Sequence, residues 1–73
     1  MDFLVTENMQ PWILVEVKSS DQSLSKSLKK FQVETGAKHA FQVVKNLPYS
    51  NINCFDYTDP VVVSLDTFLS QLV

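Results

Sequence analysis

The sequence contains little cysteine and few residues that interrupt secondary structure. It has one cysteine, one glycine and three prolines in 73 residues. A single cysteine cannot form an internal disulfide, which excludes a small secreted scaffold stapled by disulfides and makes the cytoplasm the expected location. We interpret Cys54 as a small buried hydrophobe rather than a nucleophile, because the local sequence indicates no partner histidine.

Long apolar runs and strong positive charge are also missing. No stretch approaches the ~20 apolar residues of a membrane helix and no export signal is recognisable, so no membrane contact is expected. The net charge of -2 excludes a strongly basic surface, so contact with nucleic acid must depend on a local patch. The 45% hydrophobic and 19% charged residues are typical of one small globular domain or domain fragment, residues 1–73.

Residues 12–18 form an apolar run that nevertheless contains a glutamate and a lysine. We predict a strand here, in which side chains alternate between two faces. Burying a charged side chain is costly unless it pairs, binds a metal or keeps water, so two charges on one face of a strand indicate a functional site. The face expected to carry them comprises Trp12, Leu14, Glu16 and Lys18.

A second strand at residues 3–5 is predicted to pair antiparallel with this run, with residues 6–11 as the turn. One register gathers the apolar side chains on one face and also brings two carboxylates opposite each other, within about 5 Å. The predicted pairs are Thr6 with Trp12, Leu4 with Leu14, and Asp2 with Glu16.

A helix is predicted over residues 22–34, because Leu24, Leu28 and Phe31 follow helical spacing after a segment rich in capping side chains. Gly36 is expected to end this helix in a left-handed conformation. Three lysines lie off the apolar stripe and either form a solvated face or contact phosphates. They are Lys26, Lys29 and Lys30.

Residues 39–44 are predicted to form a strand parallel to residues 12–18, since a helix connects the two in a right-handed crossover. His39 has no other ligand-type residues at metal spacing nearby, and we interpret it as a solvated or capping histidine rather than a metal ligand. Gln42 either points toward the glutamate and lysine of the first strand or forms ordinary hydrogen bonds.

The last part of the chain is predicted to add a strand and a helix. Residues 45–60 are expected to be a surface loop with a brief strand around Cys54, and residues 61–63 a short strand. Ser64 is expected to cap a helix over residues 64–73, with Asp66 in its first turn. The side chains expected to face inward from this helix are Leu65, Phe68, Leu69 and Leu72.

These elements carry a resemblance to a known family. Asp2 followed by Glu16-x-Lys18 resembles the D…(D/E)xK core of the PD-(D/E)xK nuclease superfamily. WILVEVKSS at residues 12–20, LKKF at 28–31, AFQVV at 40–44 and FLSQLV at 68–73 are similar to the C-terminal domain of unknown function that follows the ATP-binding domain in many prokaryotic AAA-type ATPases. The resemblance runs over nearly all of this chain but covers only the last part of that family's length. The ATPase domain and the superfamily's first helix, first strand and upstream acidic residue have no counterpart.

The resemblance implies a truncated restriction-endonuclease-like α/β fold, with a mixed sheet flanked by helices, and metal-dependent cleavage of nucleic-acid phosphodiesters. It implies that Asp2 and Glu16 bind Mg²⁺, with Mn²⁺ as a substitute, and that Lys18 orients the attacking water or stabilises developing charge. The three residues are thus the expected catalytic set, and an ATPase domain is an expected partner.

The alternative function is a catalytically inactive docking or oligomerisation module, in which Asp2 or Glu16 only forms an ion pair with Lys18. A homodimer is expected in addition, because an unpaired strand edge and exposed apolar side chains are usual sites of association. The side chains expected to lie open to water are Trp12, Leu4 and Leu14.

Overall fold

The computed structural model describes residues 3–20 and 23–72 and shows a four-stranded sheet with helices on both faces. The strands lie in chain order, the first pair antiparallel and the next two pairs parallel. The elements are β1 (Phe3–Glu7), β2 (Gln10–Lys18), α1 (Lys26–Thr35), β3 (His39–Val44), a 3-10 helix (Cys54–Asp56), β4 (Val61–Ser64) and α2 (Leu65–Ser70). The prediction of an α/β fold with a mixed sheet flanked by helices is confirmed.

The sheet separates two apolar clusters. On the face covered by α1, here called the α1 face, the cluster consists of Leu14, Leu28, Ala37 and Ala40, with Leu4 and Phe31 at its margin. On the opposite face, here called the α2 face, the buried members are Ile13, Val15, Phe41, Val43, Cys54, Val63 and Phe68. Among the described residues, no helix combines the length and the apolar character needed to cross a membrane.

The register of the β1–β2 hairpin agrees with the prediction at its centre and departs from it near the turn. Leu4 pairs with Leu14 as expected, but the ladder is irregular between Val5 and Thr6. Thr6 pairs with Pro11 instead of Trp12. Proline has no N–H to donate to a ladder and is tolerated in strands mainly at edges and bulges, which accounts for the break at this point.

The bulge makes Trp12 an extra residue on β2 and moves it to the α2 face. There it stacks on Phe55 with ring centroids 5.8 Å apart. The expectation that Trp12 lies on the charged face is therefore wrong, and Leu14 is fully buried beneath α1 instead of open to water. The homodimer was predicted partly because these two side chains were expected to be exposed, and that support no longer holds.

Helix α1 begins at Lys26, later than predicted, and Leu24 lies outside it with 45% of its surface exposed. Ser25 occupies the N-cap position, but its Oγ makes no capping bond to the helix backbone and instead lies 2.8 Å from Ser27 Oγ. The preceding segment is held by Gln42, whose Oε1 accepts from the backbone N–H of Ser25 at 2.8 Å and whose Nε2 donates to the carbonyl of Ser23 at 2.8 Å. A side chain on a distant strand thus sets the start of the helix.

The end of α1 is as predicted. Gly36 follows the helix with φ of 76°, in the left-handed region, and its N–H donates to the carbonyl of Gln32 at 2.9 Å. Glycine is the residue that adopts this conformation without a steric penalty.

Strand β3 is parallel to β2 as predicted, but His39 at its start is buried and not solvated. Its Nδ1 donates to the carbonyl of Tyr57 at 2.7 Å, and its ring stacks on Phe41 and meets Phe55 edge-on. The loop that carries Tyr57 returns over the start of β3 and excludes water from the imidazole.

The segment around Cys54 forms a 3-10 helix and not the brief strand that was expected. The side chain of Asn53 caps it by accepting from the N–H of Phe55 at 3.1 Å. A local side-chain hydrogen bond of this kind favours a turn over an extended strand.

Ser64 caps α2 as predicted, because its Oγ accepts from the N–H of Thr67 at 3.0 Å. The helix itself covers only Leu65–Ser70. Leu69 and Leu72 are 50% and 44% exposed, so the expectation that both face inward is wrong. Phe68 and Thr67 supply the buried contacts of this short helix, and Val73 lies outside the described residues.

Candidate carboxylate and lysine site

Glu16 and Lys18 lie near the end of β2, on the face of the sheet that α1 covers. Glu16 is the register partner of Gln42 on the neighbouring parallel strand, and Lys18 is that of Val44. Because alternate residues of a strand share a face, both charged side chains follow Leu14 onto the α1 face. The sequence prediction places this pair correctly.

The two charged side chains form an ion pair in which the carboxylate is mostly buried and the lysine is partly exposed. Lys18 Nζ lies 3.4 Å from Glu16 Oε1, and the side chains are 36% and 12% exposed, respectively. The lysine reaches toward solvent through its flexible stem, whereas the carboxylate stays near the sheet.

The second carboxylate oxygen of Glu16, Oε2, is buried and has no hydrogen-bond partner among the described residues. Such burial of a polar oxygen is costly, because it removes water and no described residue supplies a replacement hydrogen bond. Carboxylate oxygens are the ligands that Mg²⁺ prefers, so Glu16 fits the part of one metal ligand.

The other ligand predicted from the sequence, Asp2, lies outside the described residues. Within residues 3–20 and 23–72, no group of three or more His, Cys, Asp or Glu side chains is arranged to hold a metal ion. The described part of the site therefore consists of one carboxylate and one ammonium.

The three lysines predicted to contact phosphate are exposed on α1, on the same side of the sheet as this pair. Lys29 is engaged by Asp59, whose Oδ1 lies 2.9 Å from its Nζ. Sequence reasoning missed Asp59, since the two residues are 30 positions apart and no local pattern connects them. Lys26 and Lys30 share the exposed surface of the helix.

Gln42, buried beside Glu16 in the register, uses its amide to hold the backbone of Ser23 and Ser25. Of the two interpretations open from the sequence, these contacts correspond to an ordinary hydrogen-bonded glutamine. The role is structural, but it positions α1 over the candidate site.

Cys54 is fully buried on the α2 face, as expected for a small hydrophobe. Burial raises the pKa of its thiol above the ordinary value of 9.0, an effect that a backbone hydrogen bond partly offsets. The thiol is therefore protonated near neutral pH and poorly suited to act as a nucleophile.

Comparison of the chain with protein-family models, with curated proteins and with solved structures gives no match. The geometry of the site and the chemistry of its residues are accordingly the basis for assigning a function.

Proposed function

We propose that this chain is a nuclease-like domain that acts on nucleic-acid phosphodiesters with a divalent cation held by Glu16 and Asp2. The observation that carries the proposal is the buried Oε2 of Glu16, which has no partner in the described part of the chain, beside an ammonium 3.4 Å from Oε1. Retaining a costly carboxylate inside a small domain is characteristic of functional sites.

Each residue has a distinct part in this proposal. When bound, Mg²⁺ supplies an activated water and neutralises charge on the phosphate. Glu16 contributes one hard oxygen ligand from a rigid central strand, and Asp2 remains a ligand assigned from the sequence. Lys18 orients the phosphate and stabilises the negative charge that develops on it, from the same face of β2.

The fold supports the proposal through the position of the ExK tripeptide in the sheet. An antiparallel β1–β2 hairpin that leads through a helix to a parallel strand places an ExK tripeptide on the central part of a mixed sheet. These features are compatible with the truncated restriction-endonuclease-like fold that we propose from the resemblance to the PD-(D/E)xK superfamily. An attached ATPase domain is proposed from the same resemblance and a cytoplasmic location from the single cysteine, and both stay predictions.

Calorimetric titration with Mg²⁺ and Mn²⁺ tests the metal site directly. We expect binding that Glu16→Ala and Asp2→Ala each abolish, while Glu7→Ala, an exposed carboxylate on the same hairpin, leaves it unchanged. Binding that survives Glu16→Ala would place the metal elsewhere and overturn the assignment.

Cleavage tests the role of Lys18. We expect Mg²⁺-dependent nicking of DNA or RNA to fall at least about 100-fold in Lys18→Ala, with unchanged far-ultraviolet circular dichroism, because the ammonium acts on charge that develops in the transition state. If wild type and variant are equally inert on several substrates, hydrolysis is not the function of the chain.

A docking or oligomerisation module is the second candidate, and the outer edge of β1 favours it. In the described sheet β1 pairs only with β2, and Phe3 and Met9 on this hairpin are 48% and 93% exposed. A second copy pairing with this edge would make a closed two-fold dimer. Sedimentation across a concentration series tests it: a mass that stays near 8.3 kDa at high micromolar concentration excludes the dimer.

A further inference from the structure

The charged residues of this chain are segregated along the sequence. All six basic residues are lysines and lie within residues 18–45, which contain two of the eight acidic residues, so this segment carries a net charge of +4. The rest of the chain has no basic and six acidic residues, a net charge of -6, which together with +4 gives the -2 of the whole. The small net charge of the whole chain therefore hides a strong separation of positive and negative residues along the sequence.

The fold converts this segregation into a difference between the two sides of the sheet. Residues 18–45 comprise the end of β2, all of α1 and all of β3, and α1 lies alone over its face among the described helices. Asp66, by contrast, belongs to α2 on the other face. Positive charge is thus concentrated where Glu16 and Lys18 also lie.

The three lysines of α1 lie in the first half of the helix. They are exposed, as are Lys38 before β3 and Lys45 after it. From Lys26 to Lys30 the helix rises about 6 Å at 1.5 Å per residue. This is close to two phosphate intervals on one strand of a duplex, at about 3.4 Å each, so α1 reaches about three consecutive phosphates.

The chemistry of this surface favours phosphate over base recognition. Lysine is a point charge that contacts phosphate well, and the chain has no arginine fork for bidentate recognition. Phe31, the single aromatic residue of α1, packs at the margin of the Leu14 cluster and is not free to stack on a base. Contacts limited to the phosphates carry no sequence information.

Asp59 forms an ion pair with one of the lysines on this surface. Its Oδ1 lies 2.9 Å from Lys29 Nζ, with the side chains 85% and 53% exposed, respectively. The loop that carries it is held against α1 by Gln32, whose Nε2 donates to the carbonyl of Thr58 at 2.6 Å. Asp59 thus occupies one of the three N–H donors of Lys29 and offsets its positive charge, which weakens its attraction for another anion.

We propose that the α1 side binds duplex nucleic acid through its phosphates, without regard to sequence, and that Asp59 competes with phosphate for Lys29. The proposal takes its substrate class from the function proposed above, but it requires neither a metal nor hydrolysis. Duplex binding and cleavage are therefore separable by experiment.

Fluorescence anisotropy with a short labelled DNA duplex in EDTA, over a series of salt concentrations, tests the proposal. Wild type should bind with an affinity that falls steeply with salt, and Lys30→Ala should reduce the slope of the logarithmic plot by about 0.9. Asp59→Asn should tighten binding about three- to tenfold because Lys29 is released. Asp66→Asn, the same charge change on the α2 side, is the matched control and should alter affinity less than about twofold.

Several outcomes would overturn the proposal. Equal tightening by Asp59→Asn and Asp66→Asn would mean that only net charge matters, and tighter binding of a single strand would exclude duplex phosphates as the preferred ligand. Preferential binding to phosphatidylserine vesicles would identify a lipid surface instead. Duplex binding without metal-dependent nicking would refute the hydrolytic function alone, whereas metal binding at Glu16 without duplex binding would refute this inference alone.

Discussion

Gln42 accepts a 2.8 Å hydrogen bond from the backbone N–H of Ser25, 17 residues earlier in the chain. The glutamine is fully buried on β3, next to Glu16 in the sheet register. Its amide thus fixes the start of α1 and, with it, the position of the helix lysines relative to the candidate site. Fold and site depend on the same polar side chain.

Gln42→Leu should lower the free energy of unfolding by about 2–4 kcal/mol, because the N–H of Ser25 and the carbonyl of Ser23 lose a partly buried partner each. Urea denaturation measures the loss. Gln10→Leu, the same substitution at an exposed position, should change stability by less than about 0.5 kcal/mol. Equal effects at both positions would show that Gln42 does not hold the helix.

Glu16 is expected to reduce stability, since one of its oxygens is buried without a partner in the described part of the chain. Glu16→Leu should raise the free energy of unfolding by about 1–2 kcal/mol in metal-free buffer, whereas Lys18→Met should lower it by leaving the carboxylate unpaired. Glu7→Leu, at an exposed position of β1, serves as the control. A destabilised Glu16→Leu protein would indicate that the carboxylate has a structural role.

Glycine at the tip of the β1–β2 hairpin should stabilise the protein. Asn8 and Met9 have φ of 53° and 66°, the left-handed region that a side chain beyond Cα disfavours. Met9→Gly should therefore raise the free energy of unfolding by about 0.5–1 kcal/mol, which thermal melts can measure.

Gly36, which ends α1, should respond in the opposite direction. It has φ of 76° and open space around an added Cβ. Gly36→Ala should therefore lower the free energy of unfolding by about 1 kcal/mol, which thermal melts can also measure.

The buried thiol of Cys54 predicts a loss of stability in alkali. Its folded-state pKa is raised above the ordinary 9.0, so above that pH the unfolded chain releases a proton that the folded chain retains. Stability is then undiminished below pH 9.0 and falls as the pH rises toward the folded pKa. Urea midpoints measured from pH 7 to pH 10.5 should fall less in Cys54→Ala than in wild type. Parallel curves would exclude the thiol as the cause.

Features that depend on neighbouring residues could be predicted from the sequence. Gly36 ends α1, Ser64 caps α2, and Glu16 and Lys18 share a face, because caps and strand alternation involve only a few consecutive positions. The parallel pairing of β3 also follows, since a short helix between two strands permits few other connections.

The features that the sequence patterns did not predict depend on contacts between segments that are distant in the chain. Trp12 turned to the α2 face through a bulge, His39 was buried by the loop of Tyr57, and Leu69 remained exposed on a helix too short to bury it. The same holds for the site, where Asp59 reaches Lys29 across 30 positions. Local patterns determine which elements form and which side chains alternate, but the partner of a side chain depends on how those elements pack, and packing brings together residues that no sequence spacing relates.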